Sequence, residues 1–321
     1  MNLNKITVIG SSNTDMVIKT DRFPIPGETV IGGTFMMNPG GKGANQAVAA
    51  ARMGGNVTFI SKTGDDIFGK QSVHGYISEG IKTDYIFTDP DHPSGIALIT
   101  VDSKGENTIV VAPGANATLH PNDISKARDE IESSALLLMQ LEIPMNTVEY
   151  AAEMASQKGV RVILNPAPAQ TLSDNLLKHI YMLISNTTET EMLSGIQVID
   201  RESAKKAADL ISEKGVKNVV ITMGSQGAFI KHGKQYHLIE ALPVTAVDTT
   251  AAGDTFCGAL CVGLSHGISM LESVRFACKA AAISVTRMGA QASIPYKREI
   301  NTARSLPVET PSRIRASTIS G

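Results

Sequence analysis

Residues 6–15 read ITVIGSSNTD. A short run rich in β-branched side chains ends on Gly10, and the chain turns polar at once. An apolar run of this length, bounded by turn residues, is the pattern of a strand buried on both faces. The pattern returns at VTFI (57–60), ALLLM (135–139), VRVIL (160–164), YMLIS (181–185) and VVIT (219–222). Between these runs lie helix-patterned stretches: GANQAVAAARMG from Gly43, TVEYAAEMASQKG from Thr147, a charge-patterned stretch from Arg201, and 254–266 and 270–287. Such alternation predicts an α/β fold, a Rossmann-like parallel sheet flanked by helices.

Two segments break the alternation. DMVIKT with ETVIGGTFMM (15–20 and 28–37) and GIALITVDSKGENTIVVAPG (95–114) each pair strand-like runs across a turn signal, Pro24-Ile25-Pro26-Gly27 in one and Asp102-Ser103-Lys104-Gly105 in the other. They form either a small separate sheet or edge hairpins of the main one, and local pattern leaves both open. The chain is expected to hold one domain over about 1–300, with these segments (about 13–39 and 94–114) as an accessory, and a weakly ordered tail at 301–321.

The 321 residues carry 29 basic and 31 acidic side chains, a formal charge of -2. No basic excess is present to drive binding to nucleic acid or to an anionic membrane. No run approaches bilayer length, and the first apolar run is too short for a secretory signal, so a cytoplasmic protein is expected. Cys257, Cys261 and Cys278 have neither CxxC nor zinc-ligand spacing and read as small core residues of a reducing compartment.

Ligands of open α/β sheets bind beyond the carboxyl ends of the strands. Here those positions are polar: Ser11, Asn13 and Asp15 after the first run, Gln140 and Glu142 after ALLLM, Asn165 after VRVIL, Asn186 after YMLIS, and Thr222 and Ser225 at the end of VVIT. Several hydrogen-bonding groups on one side suit a polyol and a nucleotide. NPGGKGANQAVAA (38–50) adds a glycine-rich turn opening an alanine-rich helix, with neither GxxxxGK[ST] nor GxGxxG. Gly40, Gly41 and Gly43 permit close backbone approach, and Lys42 and Asn45 can project from one side of the helix start. In DTTAAGDTFCGALCVGL (248–264), a helix starting near Ala252 offers free N–H groups and positive dipole potential to a phosphate. Asp254 in its first turn is placed either to take a proton from an attacking hydroxyl or merely to complement the dipole.

GGKGAN (40–45) and DTTAAGDTFCGA (248–259) resemble the two signatures of the ribokinase family of sugar kinases. The likeness covers about residues 5–300 and extends to VIGSSNTD, PGETV, ALLLMQLE, NPAPA, ITMGSQGA and VTRMGAQAS. It implies ATP-dependent phosphorylation of D-ribose at its 5-hydroxyl. By motif match, Asn13, Thr14, Asp15, Gly41, Lys42, Gly43, Ala44, Asn45 and Glu142 would hold the sugar and Asp254 would be the base, with Ala252 and Gly253 forming the anion hole. Asn186, Thr222, Met223, Gly224, Ser225, Gln226, Gly227, Gly253 and Cys278 would line the ATP site, and magnesium would bridge the phosphates near Asn186-Thr187-Thr188-Glu189. A potassium ion would be held by Asp248, Thr250, Ser284, Arg287, Gly289 and Ser293, several through main-chain carbonyls. The two irregular segments would be a β lid that covers the sugar and pairs with the lid of a second subunit in a homodimer. Cys278 and Thr187 depart from the residues the family usually carries near adenine and in the metal-adjacent stretch.

Two other readings compete: a kinase for another sugar or nucleoside, such as fructose or adenosine, and a sugar-binding regulator on the same scaffold. The intact Gly253-Asp254 pair speaks against the regulator.

Overall fold

The structure, a computed structural model, describes residues 4–302. The expected strands form, in order, β1 (Lys5–Ile9), β4 (Asn56–Gly64), β8 (Leu136–Met139), β9 (Arg161–Leu164), β10 (Met182–Asn186) and β11 (Asn218–Thr222), with β5 (Ile86–Asp89), β12 (Ala228–His232) and β13 (Gln235–Ile239) added. They make one nine-stranded sheet, ordered β13-β12-β11-β10-β9-β8-β1-β4-β5. Pairing is parallel from β5 through β11, and β12 and β13 close that edge as an antiparallel hairpin. The expected parallel sheet is present from β5 through β11, and the antiparallel hairpin at one edge makes the whole sheet mixed. Gly233 at φ 57 makes the tight turn between β12 and β13, a hairpin whose buried apolar run is only Ala228–Ile230 and whose outer strand is half-exposed.

Every residue of β1 is buried, as a strand covered on both faces must be. Ile6 and Val8 face one core with the helices Lys42–Arg52, Ala252–Ser265 and Met270–Ser284, while Ile9 faces the other with Met145–Gln157 and Arg201–Glu213. The helix expected over 270–287 stops at Ser284, where Thr286 and Arg287 turn their N–H groups to residues three back.

Strands β2 (Asn13–Lys19), β3 (Thr34–Gly40), β6 (Gly95–Val101) and β7 (Asn107–Ala112) make a second sheet, ordered β3-β2-β6-β7. The two irregular segments join through parallel pairing of β2 with β6, so they are not edge hairpins of the main sheet. Strand structure in 28–37 begins only at Thr34, since Gly32 and Gly33 stand at φ 123 and 104. Residues 301 and 302 end a short helix, Lys297–Thr302, and the rest of the expected tail, 303–321, lies outside the described residues. Among the described residues no helix is long and apolar enough to cross a membrane.

The chain runs from β1 to β4 and β5 on one side, then returns to place β8 on the other side of β1. This reversal opens a crevice beyond the carboxyl ends of β1 and β8.

Candidate active site

The glycines of the 40–45 turn are each required by a close approach. Gly41 has φ 88, and any side chain at Gly40 would collide with the Asp15 carboxylate. At Gly43 a Cβ would meet the backbone of Gly10 and Ser11, so the helix Lys42–Arg52 starts directly against the end of β1. Its first amides are taken there: Lys42 N–H donates to Glu142 Oε2 at 2.9 Å, Gly43 N–H to Ser11 Oγ at 3.3 Å and Ala44 N–H to the Ser11 carbonyl at 2.9 Å. Ser11 Oγ also donates to Glu142 Oε2, at 2.5 Å. Gly43 and Ala44 thus dock the helix, while the Lys42 and Asn45 side chains are carried to the crevice.

The second signature lies alongside. Gly258 lets the helix Ala252–Ser265 press on the Lys42–Arg52 helix, for a Cβ there would stand 2.6 Å from Ala49 Cβ and 2.7 Å from Ala50 N. One turn earlier on both helices, this closeness puts Asn45 and Gln46 within reach of Asp254. Asn45 Nδ2 donates to Asp254 Oδ2 at 3.0 Å and Gln46 Nε2 to Oδ1 at 2.9 Å. Asn45 Oδ1 is buried with no partner among the described residues. The loop before the helix turns on Ala251, held at φ 58, a left-handed conformation that costs a non-glycine residue about 1–3 kcal/mol and collects at functional sites. Ala252 N–H is engaged by the Thr249 carbonyl at 3.2 Å, and Gly253 is exposed with open space around it.

Asp254 closes one wall of a cavity of about 190 Å³. Lys42, Asn165, Asn186, Glu189, Thr222, Thr249, Ala251, Gly253 and Cys257 also line it. Asn186 caps the helix Thr187–Ser194 by accepting from Glu189 N–H at 2.8 Å, while Glu189 accepts from Asn186 N–H and Nδ2 at 2.9 and 3.0 Å. The Asn186-to-Glu189 stretch is therefore a capping box whose carboxylate faces the cavity.

Asp254, Glu189 and Lys42 share this space, while Asp15 and Glu142 lie outside the lining but near enough for their charges to act on it. Burial lifts Asp15 to about 6, the Glu142 and Asp254 charges adding to it and Lys42 opposing. Burial also lifts Asp254 above the ordinary carboxylate value, against Lys42, Gln46 and Asn45. Glu189 is raised by burial too. For Lys42, burial works to lower the value, but Asp254, Glu142 and Glu189 outweigh it and keep the ammonium charged. The arrangement is a buried base beside one fixed cation at a helix N-terminus, suited to moving a proton while negative charge develops nearby.

The other expected residues divide. Asn13 Oδ1 accepts from Asn116 Nδ2 at 2.8 Å, and Thr14 follows it in β2; neither lines the cavity. Met223 and the turn Gly224–Gln226, closed by Gly227 at φ 98, follow Thr222 outside the lining, with Ser225 and Gln226 exposed. Cys278 sits half-buried on the helix Met270–Ser284, its thiol pushed up to about 11 by burial, and is not part of the cavity wall. Asp248 ties the proposed cation residues together: Oδ1 accepts from Thr250 N–H at 2.9 Å and Oγ1 at 2.6 Å, and Oδ2 from Gly289 N–H at 2.8 Å. Ser284 and Ser293 are buried and donate to the Ala281 and Ala290 carbonyls, and Arg287 pairs with Glu299 at 2.5 Å. Gln46 was missed as a partner of Asp254, although it directly follows the GGKGAN signature; Thr249 and Ala251 were missed as cavity walls.

Comparison with known proteins gives a consistent picture. The model of the pfkB family carbohydrate kinases matches residues 3–297. A ribokinase of Haemophilus influenzae is 47% identical over 294 residues, 92% of this chain and 96% of that one. A deoxyribokinase of Salmonella typhimurium is 37% identical over 302 residues, 94% and 99% of the two chains. The structure of Arabidopsis thaliana ribokinase complexed with ribose and ATP superposes with a TM-score of 0.86 at 31% identity, over 93% of this chain and 97% of that one.

Proposed function

The chain belongs to the pfkB family of carbohydrate kinases, and from that premise we propose that it transfers the γ-phosphoryl group of ATP to the 5-hydroxyl of D-ribose, giving D-ribose 5-phosphate and ADP. The observation that carries this reading is Asp254: a buried carboxylate in the first turn of a helix, held by two amide donors on the wall of a cavity that Lys42 shares.

In the reaction, the Asp254 carboxylate accepts the proton of the 5-hydroxyl as its oxygen bonds to the γ-phosphorus and the bond to the β,γ-bridging oxygen breaks, releasing ADP. Lys42 and the N-terminus of the Ala252–Ser265 helix offset the charge that accumulates, with Gly253 open to the phosphate. Asp15 and the unpaired Oδ1 of Asn45 accept hydroxyls of the sugar, which suits a polyol. The nucleotide lies along Asn186 and Thr222, with the Gly224–Gly227 turn beyond.

The donor set fits magnesium carried by phosphate oxygens and water: both Glu189 oxygens already cap a helix, so Glu189 would reach the ion through water. Bound there, magnesium supplies electrostatic neutralisation of the phosphates. The loop that Asp248 fastens to Gly289 would hold potassium, with Thr250, Ser284, Arg287 and Ser293 offering oxygens of the surrounding turns, and the ion would steady that loop.

The small sheet serves as a lid and as a dimer face. Asp15 is on one face of its pleat, and the other presents a cross-strand row, Met37, Met16, Leu98 and Val110, with Phe35 and Ile18 beside it. Leu98 is 56% exposed, Val110 68% and Phe35 60%, an apolar patch that suits the same patch of a second copy.

A coupled assay of ADP release tests the activity across ribose, 2-deoxyribose, fructose and adenosine. Ribose should give the highest kcat/KM. Equal values for ribose and fructose, or a preference for adenosine, would assign the chain to a sibling kinase, and preference for 2-deoxyribose would align it with the Salmonella relative.

A further inference from the structure

Asp254 does not meet Gln46 by chance of rotamer. Asn165 Nδ2 donates to the main-chain carbonyl of Ile184 at 2.9 Å, an acceptor that cannot reverse its role. Asn165 Oδ1 must then face the other way, where Gln46 Nε2 donates to it at 3.0 Å. That fixes the Gln46 amide: its second Nε2 hydrogen points to Asp254 Oδ1, and its Oε1 accepts from Gln140 Nε2 at 2.6 Å. Reversing Gln46 would set its oxygen against two acceptors. Gln46 and Gln140 are fully buried, so bulk solvent does not reach this chain.

We propose that Gln46 is a positioning residue for Asp254: a buried relay of amides, anchored on the Ile184 carbonyl, presents a fixed donor to Oδ1 and so holds the carboxylate ionised with Oδ2 turned to the acceptor hydroxyl. The proposal rests on the reading of Asp254 as the base. Around that carboxylate stand Lys42 and Asn45 from the same helix as Gln46, Glu142 after β8, Asp15 from β2, Glu189 from the helix Thr187–Ser194 and Cys257 from its own helix. Three of these groups are acids and favour the protonated form, and Lys42 is the single cation opposing them. A neutral donor locked toward Oδ1 works with Lys42 without adding a charge that the transferred phosphoryl group would meet. Burial raises Asp254 even so, which leaves the base sensitive to the loss of one donor.

The test is a carboxyl-carbon NMR titration of the unliganded protein, with the Asp254 resonance assigned by its loss in Asp254→Asn. A hydrogen bond to a charged group is worth about one pH unit of midpoint. Gln46→Met should raise the Asp254 midpoint by about that much. Gln46→Glu, which sets a second carboxyl against Oδ1, should raise it further. The acid limb of kcat should move up with the midpoint, while KM for ribose stays within about threefold. Gln140→Met, which removes only the donor to Gln46 Oε1, should give a smaller rise of the same sign and serves if the Gln46 variants show no cooperative melt. An unchanged midpoint in the folded variants overturns the proposal. If the unaltered protein releases no ADP with ribose, the assigned activity fails, and the NMR midpoint still decides the role of Gln46.

Discussion

Replacing Gly258 by alanine tests the contact on which the site is built. The added methyl would stand 2.6 Å from Ala49 Cβ and 2.8 Å from the Gln46 carbonyl, whereas carbon atoms in contact settle about 3.5–4.0 Å apart. The two helices must separate by about 1 Å to admit it. Bonds of 2.9 and 3.0 Å from Gln46 and Asn45 to Asp254 would then lengthen to about 4 Å, beyond hydrogen-bond range. A misplacement of about 1 Å at a reacting group costs about 10²-fold in rate. Stability should change far less, because an overpacking cost of about 1–3 kcal/mol is partly offset by about 1 kcal/mol from replacing glycine inside a helix. The assay is kcat with ribose and saturating ATP, measured beside a thermal melt. We expect a loss of about 10²-fold with a melting temperature lowered by a few degrees. Wild-type kcat in Gly258→Ala would refute the claim that helix contact sets the geometry of Asp254.

Three further outcomes are expected. Asp15 holds its proton more tightly in the folded protein, at about 6, than in the unfolded chain, so its cost to stability is absent below about pH 4, grows as pH rises and is complete above about 6. The shift corresponds to at most about 3 kcal/mol, reduced to about 1–2 kcal/mol by solvent at this half-buried group; Asp15→Asn should therefore melt higher than the unaltered protein at pH 7.5 and lose that advantage by pH 4, as parallel thermal scans would show. Potassium or caesium should raise ribose-dependent ADP release several-fold over sodium or a bulky organic cation at matched ionic strength, because a fixed Asp248 loop preorganises the helix terminus beside it; equal rates in all four would remove the cation from the account. Leu98→Asp, in the centre of the exposed apolar row, should convert a dimer to a monomer in light scattering after size exclusion, and an unchanged mass would place any interface elsewhere.

The main sheet was legible in the sequence because strands covered on both faces must be apolar at every position, and β1 and β8 are so marked. The hairpin of β12 and β13 was not, for its outer strand is half-exposed and carries His237 and Gln235 among its few apolar residues. Nor does local pattern reveal that β2 pairs with β6, about 80 residues away, which decides that the irregular segments share one sheet. Asp254 and Asn45 were legible as members of glycine-rich signatures. Gln46 was not, since its role follows from Gly258 admitting one helix against another and from the direction imposed by the Ile184 carbonyl. The left-handed turn at Ala251 was equally hidden, because alanine gives no sign of positive φ.

The most direct test of the central claim is turnover by Asp254→Asn, which keeps the shape of the side chain and removes its capacity to accept a proton. Calorimetric binding of ribose should be largely retained, and kcat should fall by about 10²–10⁴-fold, the range for loss of a general base. Near-normal turnover in the purified, folded variant would contradict the account, for the carboxylate on the cavity wall would then not be the group that takes the proton.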